Sequence, residues 1–201
     1  MNIDYSKISI IEDSRNKINS HDNKNNYFKK MGIRVLRSKL PFGDYAIVDN
    51  MSITVDTKMS MLEIESNLTK DHIRFRKEIT NANSFGIGLV ILIEETIQYK
   101  NLDDVAERYE IPKWQSTAKA LVNGQWVVKH KKGEPKGKFE PKNIIKAMKT
   151  MQEKYAVLFV FTTPETCGRD IIDILINKRE MLDKYFNNKL KEINKIKWVI
   201  I

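Results

Sequence analysis

Cysteine is nearly absent. With Cys167 alone in 201 residues the chain can form no internal disulfide, which fits a reducing, cytoplasmic setting. At the start of a helix this thiol reads as an ordinary structural side chain, with a reactive thiol as the alternative. No apolar run approaches the roughly 18 residues a membrane span needs, so a soluble protein is expected. The first 15 residues, MNIDYSKISIIEDSR, lack the basic flank and long apolar stretch of a secretory signal. No internal repeat is visible. His72 and His130 have no ligand-like spacing and read as surface histidines. Acidic residues are the minority: 35 Lys and Arg against 26 Asp and Glu give a net charge of +9 and a pI near 9.4. That excess favours a polyanionic partner such as nucleic acid, with solubility as the competing explanation.

What is present centres on residues 40–58, LPFGDYAIVDNMSITVDTK. Tyr45 and Ile47, then Ile53 and Val55, alternate on either side of a turn, which predicts a hairpin of two short strands. Asp44 opens the first strand after Gly43. Asp56 and Lys58 lie two apart at the end of the second and so share a face. Two carboxylates brought together this way can hold Mg²⁺, a hard cation content with one or two carboxylates and several waters. The ammonium beside them can orient an attacking water or steady a scissile phosphate. On these residues alone, a surface hairpin with solvated charges stays open beside that reading.

Around the hairpin the pattern predicts a strand over 7–11 that delivers Asp13 and Arg15 at its end. A polar stretch follows over 19–26, then a helix over 27–31 closed by Gly32 and a second strand over 33–40. Ser60 and Glu63 form a capping box, and a helix over 71–82 turns Ile73 and Ile79 inward. The continuous apolar run 86–93 predicts a strand covered on both faces and ended by Glu94 and Glu95, a further acidic candidate or a solvated pair. Residues 96–141 lose periodicity apart from a helix over 102–109 and a short strand over 126–128. They contain a basic, turn-rich loop at 129–138. A helical stripe from Pro141, an apolar strand over 156–161 and a helix begun by Thr163-Pro164-Glu165 complete a single domain. A basic then apolar tail follows over 189–201. The fold class is α/β, a central mixed sheet flanked by helices.

Taken in order, these motifs resemble the nuclease domain of the XPF-type structure-specific endonucleases, a branch of the PD-(D/E)XK superfamily. Asp13-Ser14-Arg15-Asn16 resembles the family's opening Asp-x-Arg-Glu with Asn in the last place. Gly43-Asp44-Tyr45 matches Gly-Asp-Tyr, and Asp56-Thr57-Lys58 stands where the family has Glu-Arg-Lys. Arg74 to Glu78 looks like its helical Arg-x-x-x-Gln, and 89–94 like its apolar strand ending in Glu. Leu62 replaces an expected acid, and the capping box accounts for Glu63. The match is good over 8–95 and weaker over 144–176. These residues carry no sign of the paired helix-hairpin-helix domain of many relatives, so the resemblance is more to compact members encoded by viruses of bacteria, and a bacterial or phage-infected cytoplasm is expected.

The resemblance implies a restriction-endonuclease-like fold and a Mg²⁺-dependent endonuclease, with Mn²⁺ able to substitute, acting on branched or flap DNA in recombination or repair. It implies Asp44, Asp56 and the Thr57 carbonyl as metal ligands, Asp13 contributing through water or a second ion, and Lys58 holding the attacking water. Arg15 and Arg74 would pair with carboxylates or hold a phosphate. Lys129, Lys131, Lys132 and Lys136 of the basic loop would track a DNA backbone, and Trp126 or Phe139 could stack on an unpaired base. A homodimer, joined in part by the apolar tail, would suit a symmetric junction. A catalytically inactive DNA-binding scaffold of the same fold is the alternative, and an exonuclease or restriction enzyme of the superfamily a third.

Overall fold

A computed structural model describes residues 4–109, 115–122, 125–132 and 141–199, with side chains described for 4–109 and 141–195. Its centre is a six-stranded sheet in the order β2-β1-β3-β4-β5-β8. The strands are β1 (Ser9–Asp13), β2 (Arg34–Ser38), β3 (Tyr45–Ile47), β4 (Asn50–Lys58), β5 (Gly88–Glu94) and β8 (Val157–Thr162). The β3/β4 hairpin is antiparallel and β3 also runs antiparallel to β1, whereas β1/β2, β4/β5 and β5/β8 are parallel. The expected mixed sheet is therefore present.

The apolar run of β5 is buried along its length except at Glu94, because helices cover both faces. Val90 and Leu92 join the first core with α1 (Asp22–Lys30), α6 (Cys167–Ile172) and α7 (Arg179–Val199). Leu89, Ile91 and Ile93 join the second with α2 (Met61–Thr69), α3 (His72–Ser84), α4 (Leu102–Arg108) and α5 (Pro141–Lys154). Strand alternation thus sends successive residues into different cores. A separate antiparallel pair, β6 (Gln115–Val122) and β7 (Gln125–Lys132), stands between α4 and α5 in sequence.

Several expectations are corrected. α1 begins at Asp22, inside the stretch read as merely polar. In α3 the buried residues are Phe75, Ile79 and Ala82, while Ile73 is 64% exposed. That 4-and-3 spacing sets the helix phase, and Ile73 lies two residues, about 200°, off it. Thr163-Pro164-Glu165 makes a turn rather than a helix start. The Thr163 carbonyl accepts from the Thr166 and Cys167 amides, and α6 begins at Cys167, whose thiol is buried. A π-helical turn, Asp173–Asn177, then separates α6 from α7. Lys129, Lys131 and Lys132 sit in β7 rather than in a loop. Lys136 and Phe139, and the side chains of Trp126 and of the 196–201 tail, lie outside the described residues.

Candidate active site

Parallel strands β4 and β5 end on the same edge of the sheet, with Lys58 opposite Ile93 and Glu94 one residue further. Beside that edge the hairpin brings in Asp44. Gly43 has φ +70°, and a Cβ there would stand 3.0 Å from the Val55 carbonyl, so the turn into Asp44 is built for glycine. The Asp44 amide donates to that same carbonyl at 2.8 Å, and the Asp44 carbonyl accepts from the Asp13 amide at 2.8 Å. The backbone of Asp44 is thereby fixed from both sides. Its carboxylate is fixed too: Oδ2 accepts from the Thr57 amide (2.8 Å) and hydroxyl (2.6 Å), and Oδ1 from Asn16 Nδ2 at 3.0 Å. Asn16 is thus a donor to the carboxylate it faces.

Asp44, Asp56, Thr57 and Lys58 line one cleft of about 540 Å³, whose other wall is formed by Asn16 and residues 19–24. Asp56 is buried, and its Oδ2 stands 2.7 Å from Lys58 Nζ with no hydrogen-bond partner beyond that ion pair among the described residues. Burial pushes its carboxyl up to about 7; the Lys58 ammonium opposes this and the Asp44 carboxylate adds to it. For Lys58, burial acts downward, but the Asp56 carboxylate outweighs it and keeps the ammonium above its ordinary value. The pair is therefore a charged lysine beside a carboxyl that burial holds raised in spite of the ammonium.

Glu63 performs its capping part, its amide donating to Ser60 Oγ at 3.3 Å and its Oε2 accepting from the Met59 amide at 2.9 Å. It also lies 3.8 Å from Lys58 Nζ and lines the cleft. Asp13 does not line the cleft. Its carboxylate is held by the Arg15 guanidinium and amide, and Arg15 Nη2 also donates to the Leu40 carbonyl at 2.9 Å. Burial acts to raise the Asp13 carboxyl, but the Arg15 hydrogen bonds outweigh it and hold it low. Arg74 is an exposed side chain paired with Asp71 at 3.6 Å and stands apart from the cleft.

Two polar residues outside the sequence-based candidates, Lys24 and His21, occupy the opposite wall. Lys24 is buried and pairs with Glu94 Oε1 at 2.6 Å, so Glu94 is not a solvated strand end. Its neighbour Glu95 accepts from the Met61 amide at 2.6 Å, at the start of α2. His21 Nδ1 lies 2.6 Å from the Tyr45 hydroxyl, and burial, then the Lys24 ammonium, hold its imidazole below the ordinary value. Glu12, also buried, accepts from Arg37 and Asn25 behind them. The hydrophilic run 19–26 concealed these positions, because burial of a lysine or histidine leaves no apolar period to read.

The cation implied by this acid pair has a fitting donor set. Two carboxylates line one cleft, the buried Asp56 paired only with Lys58 among the described residues, and all donors are oxygens. Among the described residues no group of three or more His, Cys, Asp or Glu side chains converges. Such a set suits Mg²⁺ keeping several waters better than an all-protein cage.

The sheet and its flanking helices define a mixed α/β fold with a polar cleft at one strand edge. No family model and no curated protein matches the chain. Among solved structures it is similar to XPF from Aeropyrum pernix, with a TM-score of 0.50 and 16% identity over 96% of this chain and 71% of that one. It is also similar to XPF from Aeropyrum pernix in complex with DNA, with a TM-score of 0.55 and 14% identity over 87% of this chain and 66% of that one. At such identities the likeness shows the fold: the chain has an XPF-like nuclease fold, restriction-endonuclease-like in its sheet. No helix among the described residues is long and apolar enough to cross a membrane.

Proposed function

We propose that the chain is a Mg²⁺-dependent endonuclease that hydrolyses phosphodiester bonds in branched or flap DNA in recombination or repair, with Mn²⁺ as a substitute. The observation that carries this reading is the convergence of Asp44, Asp56 and Lys58 on one cleft, with Asp56 buried and raised to about 7. The likeness to an XPF solved in complex with DNA supports a DNA substrate, as does the charge of +9.

Asp44 and Asp56, with the Thr57 carbonyl, would hold the cation. When bound it supplies Lewis-acid polarisation of the phosphate and a water of lowered pKa. Lys58 would orient an attacking water or a phosphate oxygen with a charge kept by Asp56 and Glu63. Asn16 and Thr57 keep Asp44 aimed, so its orientation is settled before substrate arrives. Asp13 and Arg15 support the Asp44 turn from outside the cleft. Lys129, Lys131, Lys132 and Lys136 add a diffuse attraction for the DNA backbone, and Arg74 an exposed charge of the same kind. A homodimer would present two such clefts to a symmetric junction.

The test is cleavage of linear, flap, fork and four-way junction DNA with Mg²⁺ or EDTA, beside Asp56→Ala. Branched substrates cut only with Mg²⁺, at a rate about a hundredfold or more lower in the variant, are the expected result. Undiminished cleavage by Asp56→Ala would sink the site, and binding without cleavage by the wild type would favour the scaffold.

A further inference from the structure

His21 occupies the N-cap position of α1 yet makes no capping bond, although Ser, Thr, Asp or Asn would cap that helix. Its ring instead lies against Tyr45, with centroids 5.5 Å apart and Nδ1 2.6 Å from the hydroxyl. Tyr45 is completely buried, and His21 is the one hydrogen-bond partner its hydroxyl has among the described residues. A buried hydroxyl must place its proton on an acceptor. Glu12 Oε1 stands 3.6 Å from His21 Nδ1, beyond hydrogen-bond reach, so the arrangement that gives the Tyr45 proton an acceptor is donation to Nδ1, with the ring proton on Nε2. That nitrogen has no protein partner among the described residues, is not sealed from solvent, and belongs to a ring that lines the cleft.

We propose that Tyr45 is a positioning residue that fixes His21 as its Nε2–H tautomer, and that this N–H is a substrate contact, donating to a non-bridging oxygen of a DNA phosphate in the cleft. The inference rests on the proposed reading only in placing DNA there. Tyr45 thereby has a task beyond core packing: its ring fills the first core while its hydroxyl sets a tautomer at the surface of the cleft. The contact is neutral, unlike Lys58 and Lys24, so it reads the direction of a phosphate oxygen without adding to the ionic attraction.

Histidine ¹⁵N NMR on the full chain provides the test, with His21→Gln assigning the signal among the three histidines. The wild type shows the Nε2–H tautomer, and Tyr45→Phe shows a mixture. Four-way junction DNA in EDTA shifts the Nε2 signal. His21→Ala weakens binding about tenfold, whereas His21→Gln, which keeps an N–H donor, stays within about threefold. The slope of log affinity against log salt does not change in either variant, since a neutral donor releases no counterion. An Nδ1–H or mixed wild-type tautomer, an Nε2 signal unmoved by DNA, or wild-type affinity in a folded His21→Ala each overturns the proposal. DNA binding with the expected signal shifts but no cleavage under Mg²⁺ overturns the enzyme reading alone. Full cleavage with unchanged affinity in His21→Ala overturns this inference alone, and absence of any DNA binding overturns both.

Discussion

Asp56 carries the sharpest residue-scale consequence. Its folded value, about 7, lies above the ordinary 3.8, so the folded protein keeps a proton that the unfolded chain has released. The stability that proton contributes is fully present below about 3.8 and is lost as pH climbs through about 7. On the proposed reading, a cation bound there would compete with the same proton. Apparent Mg²⁺ affinity should therefore fall up to about tenfold per pH unit below about 7. Thermal melts in a Mg²⁺ titration at several pH values check this, and a Mg²⁺-induced shift independent of pH across that range would refute it. Gly43 makes a second test. Gly43→Ala places a Cβ 3.0 Å from the Val55 carbonyl at a left-handed φ, costing about 1–2 kcal/mol. Because that carbonyl also holds the Asp44 amide, cleavage should fall more than stability alone accounts for, as urea melts set beside single-turnover rates would show.

At the scale of elements, α1 is tied to β5 by Lys24 and Glu94, both nearly buried. Lys24→Met leaves Glu94 an unpaired buried charge and should cost about 3–5 kcal/mol, while the double change Lys24→Met with Glu94→Leu restores most of it. Urea unfolding of the three proteins measures the difference, and a double variant no better than the single one would contradict the pairing. The same elements show what was legible in the sequence. The hairpin, the buried strand β5 and the acid pair were readable because alternation, an unbroken apolar run and a Gly-Asp turn are local signals. Lys24 and His21 were not, since what buries them is the meeting of α1 with the ends of β3 and β5, far away in sequence. The α6 start was misplaced because Thr-Pro-Glu suits a turn as well as a cap, and only the packing of Cys167 selects one.

For the whole molecule, binding to DNA should weaken steeply with salt, because a chain of net charge +9 gains much of its affinity from released counterions. Fluorescence anisotropy across a salt series reads the slope, and a flat line would remove the electrostatic basis of the DNA reading. The sheet has a further effect. It keeps two apolar cores apart, with Ile174 in one and Ile145 in the other. Ile174→Val and Ile145→Val should then cost amounts that add within about 0.5 kcal/mol. One wall of the cleft, at Lys24, grows from the first core, and the other, at Glu63, from the second. The width of the cleft is thus set like that of a vice with two separately mounted jaws, one seated on each core.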